Sequence, residues 1–322
     1  MKAYVTGASG FVGSRLTDAL KEAGWIVKAF DLWPREPQPA GVELIRGDIR
    51  DAALLGETMG GTEVVFHLAS ALGASRIGPE EFLAINAGGT RAVFEAARKN
   101  GVRRVVHFSS AGVLGHVKAG DVAGETYPLD PRDVYDRTKL EGEHVALEFA
   151  AGGTDAVIVR PGWVYGPGDR RTLKLIRTIG RGRFVQAGKG RTLQTPVYVD
   201  DLIRGTLLCA ASGRAGEIYN LAGSEVLTVR QMAETIAAAA GRRLPRLRLP
   251  LGPVRAAAWL MGGVFGWFNR EAPLNPSRLA FFVHPKPLDI SKARRELGFA
   301  PGVDFADGMA RAIAWYRSAG WL

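Results

Sequence analysis

The 322-residue chain has one cysteine, Cys209. One thiol allows no internal disulfide and excludes a four-cysteine zinc or iron–sulfur site, so no metal is expected. This suits a reducing, cytoplasmic setting. Long apolar runs are missing too. The longest uncharged candidate, Ala256 to Phe268, has 13 residues, against about 20 for a membrane-spanning helix. Met1-Lys2-Ala3-Tyr4-Val5 runs straight into strand-like sequence, without the basic and apolar regions of a secretory leader.

Acids are scarce in the second half. Lys+Arg number 42 against 32 Asp+Glu, a net charge of +10. One acid-free stretch holds Arg170, Arg171, Lys174, Arg177, Arg181, Arg183, Lys189 and Arg191. A second holds Arg242, Arg243, Arg246, Arg248, Arg255 and Arg270. Such a field attracts anionic substrates, acidic lipid or nucleic acid. No helix-turn-helix, zinc-finger or RNA-binding signature accompanies it, so nucleic acid is not an expected partner.

What the chain does have is strand–helix alternation. Lys2–Thr6, Ile26–Phe30, Glu43–Arg46, Glu63–His67, Arg104–Phe108 and Ala156–Arg160 read as strands, mostly continuous apolar runs. Val12, Leu16, Ala19, Leu20 and Ala23 fall at helical spacing between the first two. The pattern predicts an α/β fold: a Rossmann-type doubly wound parallel sheet with a smaller C-terminal substrate-binding domain. Residues 1–166, rejoined by about 196–222, are assigned to the first domain, and 167–195 with 223–322 to the second. Thr228-Val229-Arg230-Gln231 reads as a capping box opening a helix to Ala240. Phe305, Met309, Ile313 and Tyr316 mark the apolar stripe of a last helix begun near Asp304.

The turn after the first strand is Gly7-Ala8-Ser9-Gly10-Phe11-Val12-Gly13. Gly7 permits the tight turn, Gly10 lets backbone N–H groups approach a pyrophosphate, and Gly13 lets helix and strand pack closely. Its place between a strand and an amphipathic helix identifies a dinucleotide loop. Asp31 ends the second strand, 18 residues after Gly13. A carboxylate there accepts both adenosine ribose hydroxyls and repels a 2′-phosphate, which favours NAD over NADP, although nearby Arg35 could soften that choice. Asp48 and Ile49 follow the third strand, where an aspartate could receive the adenine amino group. Leu68, Ala69 and Ser70 follow the fourth, beside the cofactor.

Tyr135 and Lys139 are four residues apart, one helical turn, and project from the same face. A tyrosine pKa is near 10, and bringing it to about 7 takes roughly 4 kcal/mol of phenolate stabilisation. An adjacent ammonium and an oxidised nicotinamide can supply that in a dry cleft. Tyr135 would then take a substrate hydroxyl proton as the nicotinamide takes the hydride, with Lys139 also holding the nicotinamide ribose. Ser109-Ser110 end the fifth strand, in position to bond the reacting oxygen.

With these features in order, the sequence resembles the extended short-chain dehydrogenase/reductase superfamily, the NAD-dependent epimerase/dehydratases. The resemblance also covers Asn86 in Asn-Ala-Gly-Gly-Thr, Arg160-Pro161-Gly162 with Val164-Tyr165-Gly166, and Val197-Tyr198-Val199-Asp200-Asp201. It implies Tyr135 as base, Ser110 and Lys139 as helpers, Asn86 and Pro161 among the cofactor contacts, and a homodimer through two helices per subunit. Thr138 stands where serine is commoner in the family.

Ala111-Gly112 follow the catalytic serine where 4,6-dehydratases carry an Asp-Glu pair, which argues against dehydration. Cys209 lies too far on to serve a fucose-synthase-type epimerase-reductase. Hydride transfer and 4-epimerisation both survive. Gln194-Thr195-Pro196 stands where sugar-nucleotide enzymes place a diphosphate-binding arginine, and residues 247–287 resemble the tail of the 3β-hydroxysteroid dehydrogenase-like branch. The expected substrate is thus a small sterol-like or β-hydroxy acid-like alcohol, with a sugar nucleotide as the alternative. A module that keeps the cofactor without chemistry is disfavoured by the intact Ser110, Tyr135 and Lys139. Residues 254–268 hold Trp259, Leu260, Met261, Val264, Phe265, Trp267 and Phe268. They read as an apolar lid, the core of the smaller domain, or a peripheral membrane contact.

Overall fold

Short apolar runs, most of them followed by a turn and a helix, build the parallel sheet. A computed structural model of the chain describes all residues except 36, 38, 39, 74, 76, 245–247 and 268–275. The first half runs β1 (Lys2–Thr6), α1 (Phe11–Glu22), β2 (Ile26–Asp31), β3 (Val42–Arg46), α2 (Ala52–Thr58), β4 (Val64–His67), α3 (Pro79–Leu83), α4 (Gly89–Lys99), β5 (Arg104–Phe108), α5 (Val134–Ala151) and β6 (Ala156–Pro161). Then come β7 (Trp163–Tyr165), α6 (Arg170–Gly180), β8 (Gln186–Ala187), β9 (Leu193–Gln194), β10 (Pro196–Tyr198), α7 (Val199–Ser212) and β11 (Ile218–Leu221). Last are β12 (Leu227–Thr228), α8 (Val229–Ala239), β13 (Arg248–Leu249), α9 (Leu251–Trp267), α10 (Pro276–Val283), α11 (Ser291–Leu297) and α12 (Phe305–Ser318).

Seven strands form one parallel sheet in the order β11-β6-β5-β4-β1-β2-β3. All six expected strands are in it, each shifted by no more than one residue at either end. Neighbouring residues on each strand face opposite layers: Val5, Phe66, Val106 and Val159 pack in one apolar cluster, and Tyr4, Val65, Val105 and Ile158 in the other. With both faces covered, the strands have to be apolar throughout. The chain leaves β1 toward β2 and returns on the other side at β4, and such a reversal opens a crevice at the strands' carboxyl ends.

A third cluster joins Tyr165, Tyr198, Met232, Ile236 and the α12 stripe Phe305, Met309, Ile313 and Tyr316. Thr228 and Gln231 form the expected capping box, and α8 ends one residue early at Ala239. Asp304 caps α12 by accepting the Asp307 N–H. Helix α9 settles the core reading for only one of its faces. Val254 and Ala258 pack with Leu279 in a small cluster, whereas Trp259 and Leu260 are 72% and 58% exposed. Arg246, Phe268 and Arg270 lie outside the described residues. No helix among the described residues is long and apolar enough to cross a membrane.

Candidate active site

The glycine loop is a cradle that side chains would fill. Gly7 has φ +71°, and a Cβ there would stand 2.7 Å from the Ala69 nitrogen; one on Gly13 would stand 2.0 Å from the Gly7 oxygen. Gly10 is the N-cap of α1 with no side-chain cap, so the first helical N–H groups of Phe11 and Val12 face the crevice bare. This suits a pyrophosphate. Leu68 and Ala69 close the far side: the Leu68 N–H donates to the Thr6 carbonyl, and the Ala69 N–H to Thr6 Oγ1 at 3.2 Å. Ser70 is the next residue along.

Asp31 is held by two backbone donors, Ser9 N–H and Trp33 N–H, each at 2.9 Å. Its carboxylate is therefore anchored at the tip of β2, at the edge of the cradle. Arg35 is turned away to Asp18 on α1 at 3.0 Å. Asp48 is engaged by Arg50 at 2.7 Å, which holds its carboxyl below the usual range, and Ile49 is buried against Gly89. The adenine contact expected of Asp48 would thus have to share that carboxylate with Arg50.

Ser110, Tyr135 and Lys139 converge beyond the end of β5. Asp133 caps α5 by accepting the Asp136 N–H at 2.8 Å, which starts the helix in phase for Tyr135 and Lys139 to share a face. Ser110 Oγ accepts the Gly112 N–H at 2.9 Å, and the Ser110 hydroxyl lowers the Tyr135 phenol's pKa. Lys139 is buried, and its ammonium donates to the Phe108 carbonyl. Burial pushes the Tyr135 phenol up to about 12, the nearby Asp136 carboxylate adds to this, and Arg171 and Ser110 oppose it. Burial pushes Lys139 down to about 8, opposed by Glu143. The sequence assigns the acidifying of the phenol jointly to Lys139 and an oxidised nicotinamide. Here the Lys139 proton is directed at a carbonyl, and the opposing pull on Tyr135 comes from Arg171 and Ser110.

Ser109 does not reach the crevice. Its hydroxyl donates to Glu143, which is wholly buried with Arg160 at 2.6 Å. Because neighbouring strand-end residues face opposite ways, only Ser110 is left for chemistry. Asn86 sits in a π-turn (84–88) between α3 and α4. Its side chain accepts the Ala71 N–H at 2.7 Å and donates to Thr138 at 2.9 Å, tying the loop after β4 to α5. Pro161 ends β6 opposite Leu221.

Several supporting groups escaped the sequence reading. His67 bridges Thr6 and Thr90 at 2.7 and 2.9 Å. Burial, with Lys139 close by, holds His67 and His107 well below the usual histidine range and therefore neutral. Asp136 is buried beside Gly112: its Oδ1 stands 1.8 Å from where a Cβ on residue 112 would be, and Lys286 pairs with it at 3.5 Å. Gly112, two residues after Ser110, was the available signal, since only glycine leaves that space. Cys209 is buried and pushed up to about 12, so it offers no reactive thiolate.

Comparison with known proteins gives the family and the cofactor. The profile of the NAD dependent epimerase/dehydratase family matches residues 3–222. A 4-hydroxy-2-methyl-3-oxo-4-farnesyl-3,4-dihydroquinoline-1-oxide ketoreductase from Stigmatella aurantiaca is 32% identical, covering 96% of this chain and 95% of its own. Sterol demethylase protein B from Methylococcus capsulatus is 32% identical over the full length of both. The crystal structure of a dTDP-glucose 4,6-dehydratase from Streptomyces venezuelae with NAD bound superposes with a TM-score of 0.80 at 28% identity, covering 100% of this chain and 98% of that one. The chain belongs to the NAD-dependent epimerase/dehydratase family of extended short-chain dehydrogenase/reductase enzymes, with NAD as its cofactor.

Proposed function

We propose that the protein transfers hydride between NAD and a secondary alcohol or ketone of sterol-like or β-hydroxy acid-like character. Residues 1–166 and 196–222 would hold the cofactor, 167–195 and 223–322 would shape the substrate site, and the working unit would be a cytoplasmic homodimer. The observation that carries the reading is the convergence of Ser110, Tyr135 and Lys139 beside a side-chain-free glycine cradle. NAD supplies the hydride acceptor when bound. Gly7 to Gly13 would receive its pyrophosphate and Asp31 its adenosine ribose. Tyr135 would take the hydroxyl proton of the alcohol, and Ser110 would donate to the same oxygen and hold the phenol in line. Lys139, fixed by the Phe108 carbonyl, would donate to the nicotinamide ribose.

Two relatives support the substrate class, one a ketoreductase of a farnesylated ring and the other a sterol demethylase component. Ala111 and Gly112 put no acid beside Ser110 on that loop, which disfavours dehydration. Arg171, at the start of α6, acts electrostatically on Tyr135. That places a cation near the reacting phenol, where a substrate carboxylate or diphosphate would meet it. The same arginine favours a second reading, a sugar-nucleotide 4-epimerase, in which the hydride returns to the substrate.

Near-ultraviolet absorbance of reduced nicotinamide separates the two. Stoichiometric growth with a hydroxysteroid or β-hydroxy acid is the expected result. Conversion of a UDP-sugar without net reduction would establish the epimerase instead. Tyr135→Phe should abolish either activity and leave NAD binding near its original strength; full turnover in that variant would refute the assigned base.

A further inference from the structure

Helix α9 is apolar on both sides. Its inner side, Val254 and Ala258, is buried with Leu279. Its outer side carries Trp259 and Leu260, largely exposed, with Arg255 one turn before Trp259. A helix apolar all round is ordinarily buried or in contact with lipid, so this outer side calls for an occupant.

The backbone shows what else lies there. β13 pairs with β8, Arg248 opposite Gln186 and Leu249 opposite Ala187. Ala187 packs against the α9 cluster. This pairing brings together two stretches of sequence without a single acid, residues 170–199 and 235–270. Val185 and Leu249 are exposed on it by 40% and 41%. Arg183, Lys189, Arg248 and Arg255 are exposed around them. Exposed Val185, Leu249, Trp259 and Leu260 thus stand on two packed stretches whose own sequence is basic and without acids.

We infer that this face docks on an anionic membrane surface, the aromatic and aliphatic side chains entering the interface and the arginines and lysine meeting acidic headgroups. Charge selects this occupant. A second copy would oppose the same exposed arginines and lysine to themselves and repel, whereas an anionic bilayer attracts them and accepts the apolar side chains. No helix needs to cross, since Trp259 and Leu260 are on one side of a helix packed on the protein by the other. The inference is independent of the catalytic reading: it holds whichever alcohol is oxidised.

The test is co-sedimentation of the full chain with vesicles of phosphatidylcholine alone and of phosphatidylcholine with phosphatidylglycerol, at low salt and at about 0.5 M salt, where exposed charges are screened. Binding is expected on the mixed vesicles at low salt, weakened by salt and nearly lost on phosphatidylcholine. Trp259→Glu with Leu260→Glu, and separately Arg183→Glu with Arg255→Glu, should each weaken it about tenfold or more. An unchanged rise in melting temperature on adding NAD shows that each variant is folded. Absence of binding to the mixed vesicles overturns the inference, as does binding by both variants as strong as that of the parent. A Trp259→Glu, Leu260→Glu protein that loses self-association while the parent ignores vesicles would assign the face to a second copy, and overturn it too.

Discussion

Lys139 is a buried ammonium, and a buried ammonium costs stability. Its pKa falls to about 8 from about 10.4 in an unfolded chain. Between those values the unfolded chain holds a proton that the folded chain has released, so folding stability rises with pH through this window. The gain is roughly 3 kcal/mol at most. Below about pH 8 both states carry the charge and the penalty is present in full. Lys139→Met lacks the titration, so its unfolding free energy relative to the parent should decline as pH rises from about 8 to about 10. Parallel pH profiles in urea unfolding would show that the side chain is not desolvated as described. The spacing of Tyr135 and Lys139 was legible in the sequence because a helix turn fixes it. The roles of Ser109, Glu143 and Asp136 were not, because they depend on how the end of β5 turns against α5. Nothing local in Phe108-Ser109-Ser110 says which hydroxyl faces inward.

Elements are joined at this site by one buried ion pair. Glu143 on α5 meets Arg160 on β6, both about 1% exposed at the side chain, and the Arg160 guanidinium also donates to the Glu125 carbonyl at 2.9 Å. Removing one partner leaves an uncompensated buried charge, at a cost of about 3 kcal/mol or more. Arg160→Met should therefore lower the melting temperature sharply, and adding Glu143→Met should restore much of it. A double variant no better than the single would mean that the pair contributes net attraction beyond its burial. The glycine cradle gives a prediction with the opposite balance. A Cβ on Gly13 collides with the Gly7 carbonyl, so Gly13→Ala has to spread the β1–α1 turn. Weakened NAD binding is expected with the helices elsewhere retained; calorimetry showing the original affinity would refute the close approach. Strands and cradle were readable in advance because continuous apolar runs and fixed glycine spacing are local signals. Helix α9 was not: apolar on all sides, it has no periodicity to show which side is core.

At the scale of the molecule, the C-terminal helix is fastened to the sheet by a residue that the sequence marked only as part of a motif. Asp201 on α7 is fully buried. It accepts the N–H groups of Gly302 at 3.1 Å and Val303 at 3.0 Å and pairs with Arg204. Those two amides lie just before α12. From α12, the Tyr316 hydroxyl reaches back to the Gly166 and Asp169 carbonyls at 2.9 and 2.7 Å, in the loop that follows β7. Hydrogen bonds to a buried carboxylate are among the stronger ones, and losing the acceptor removes two of them, from exposed Gly302 and half-buried Val303. Asp201→Ala should therefore cost about 3 kcal/mol, and the loss should be unevenly spread. Amide hydrogen exchange is expected to quicken over residues 302–318 while β1, β4 and β5 keep their protection, because those strands pack in clusters that α12 does not share. If exchange instead rises equally in the central strands, the C-terminal region and the sheet unfold as one unit, and the aspartate is a support of the whole fold rather than the fastening of its last helix.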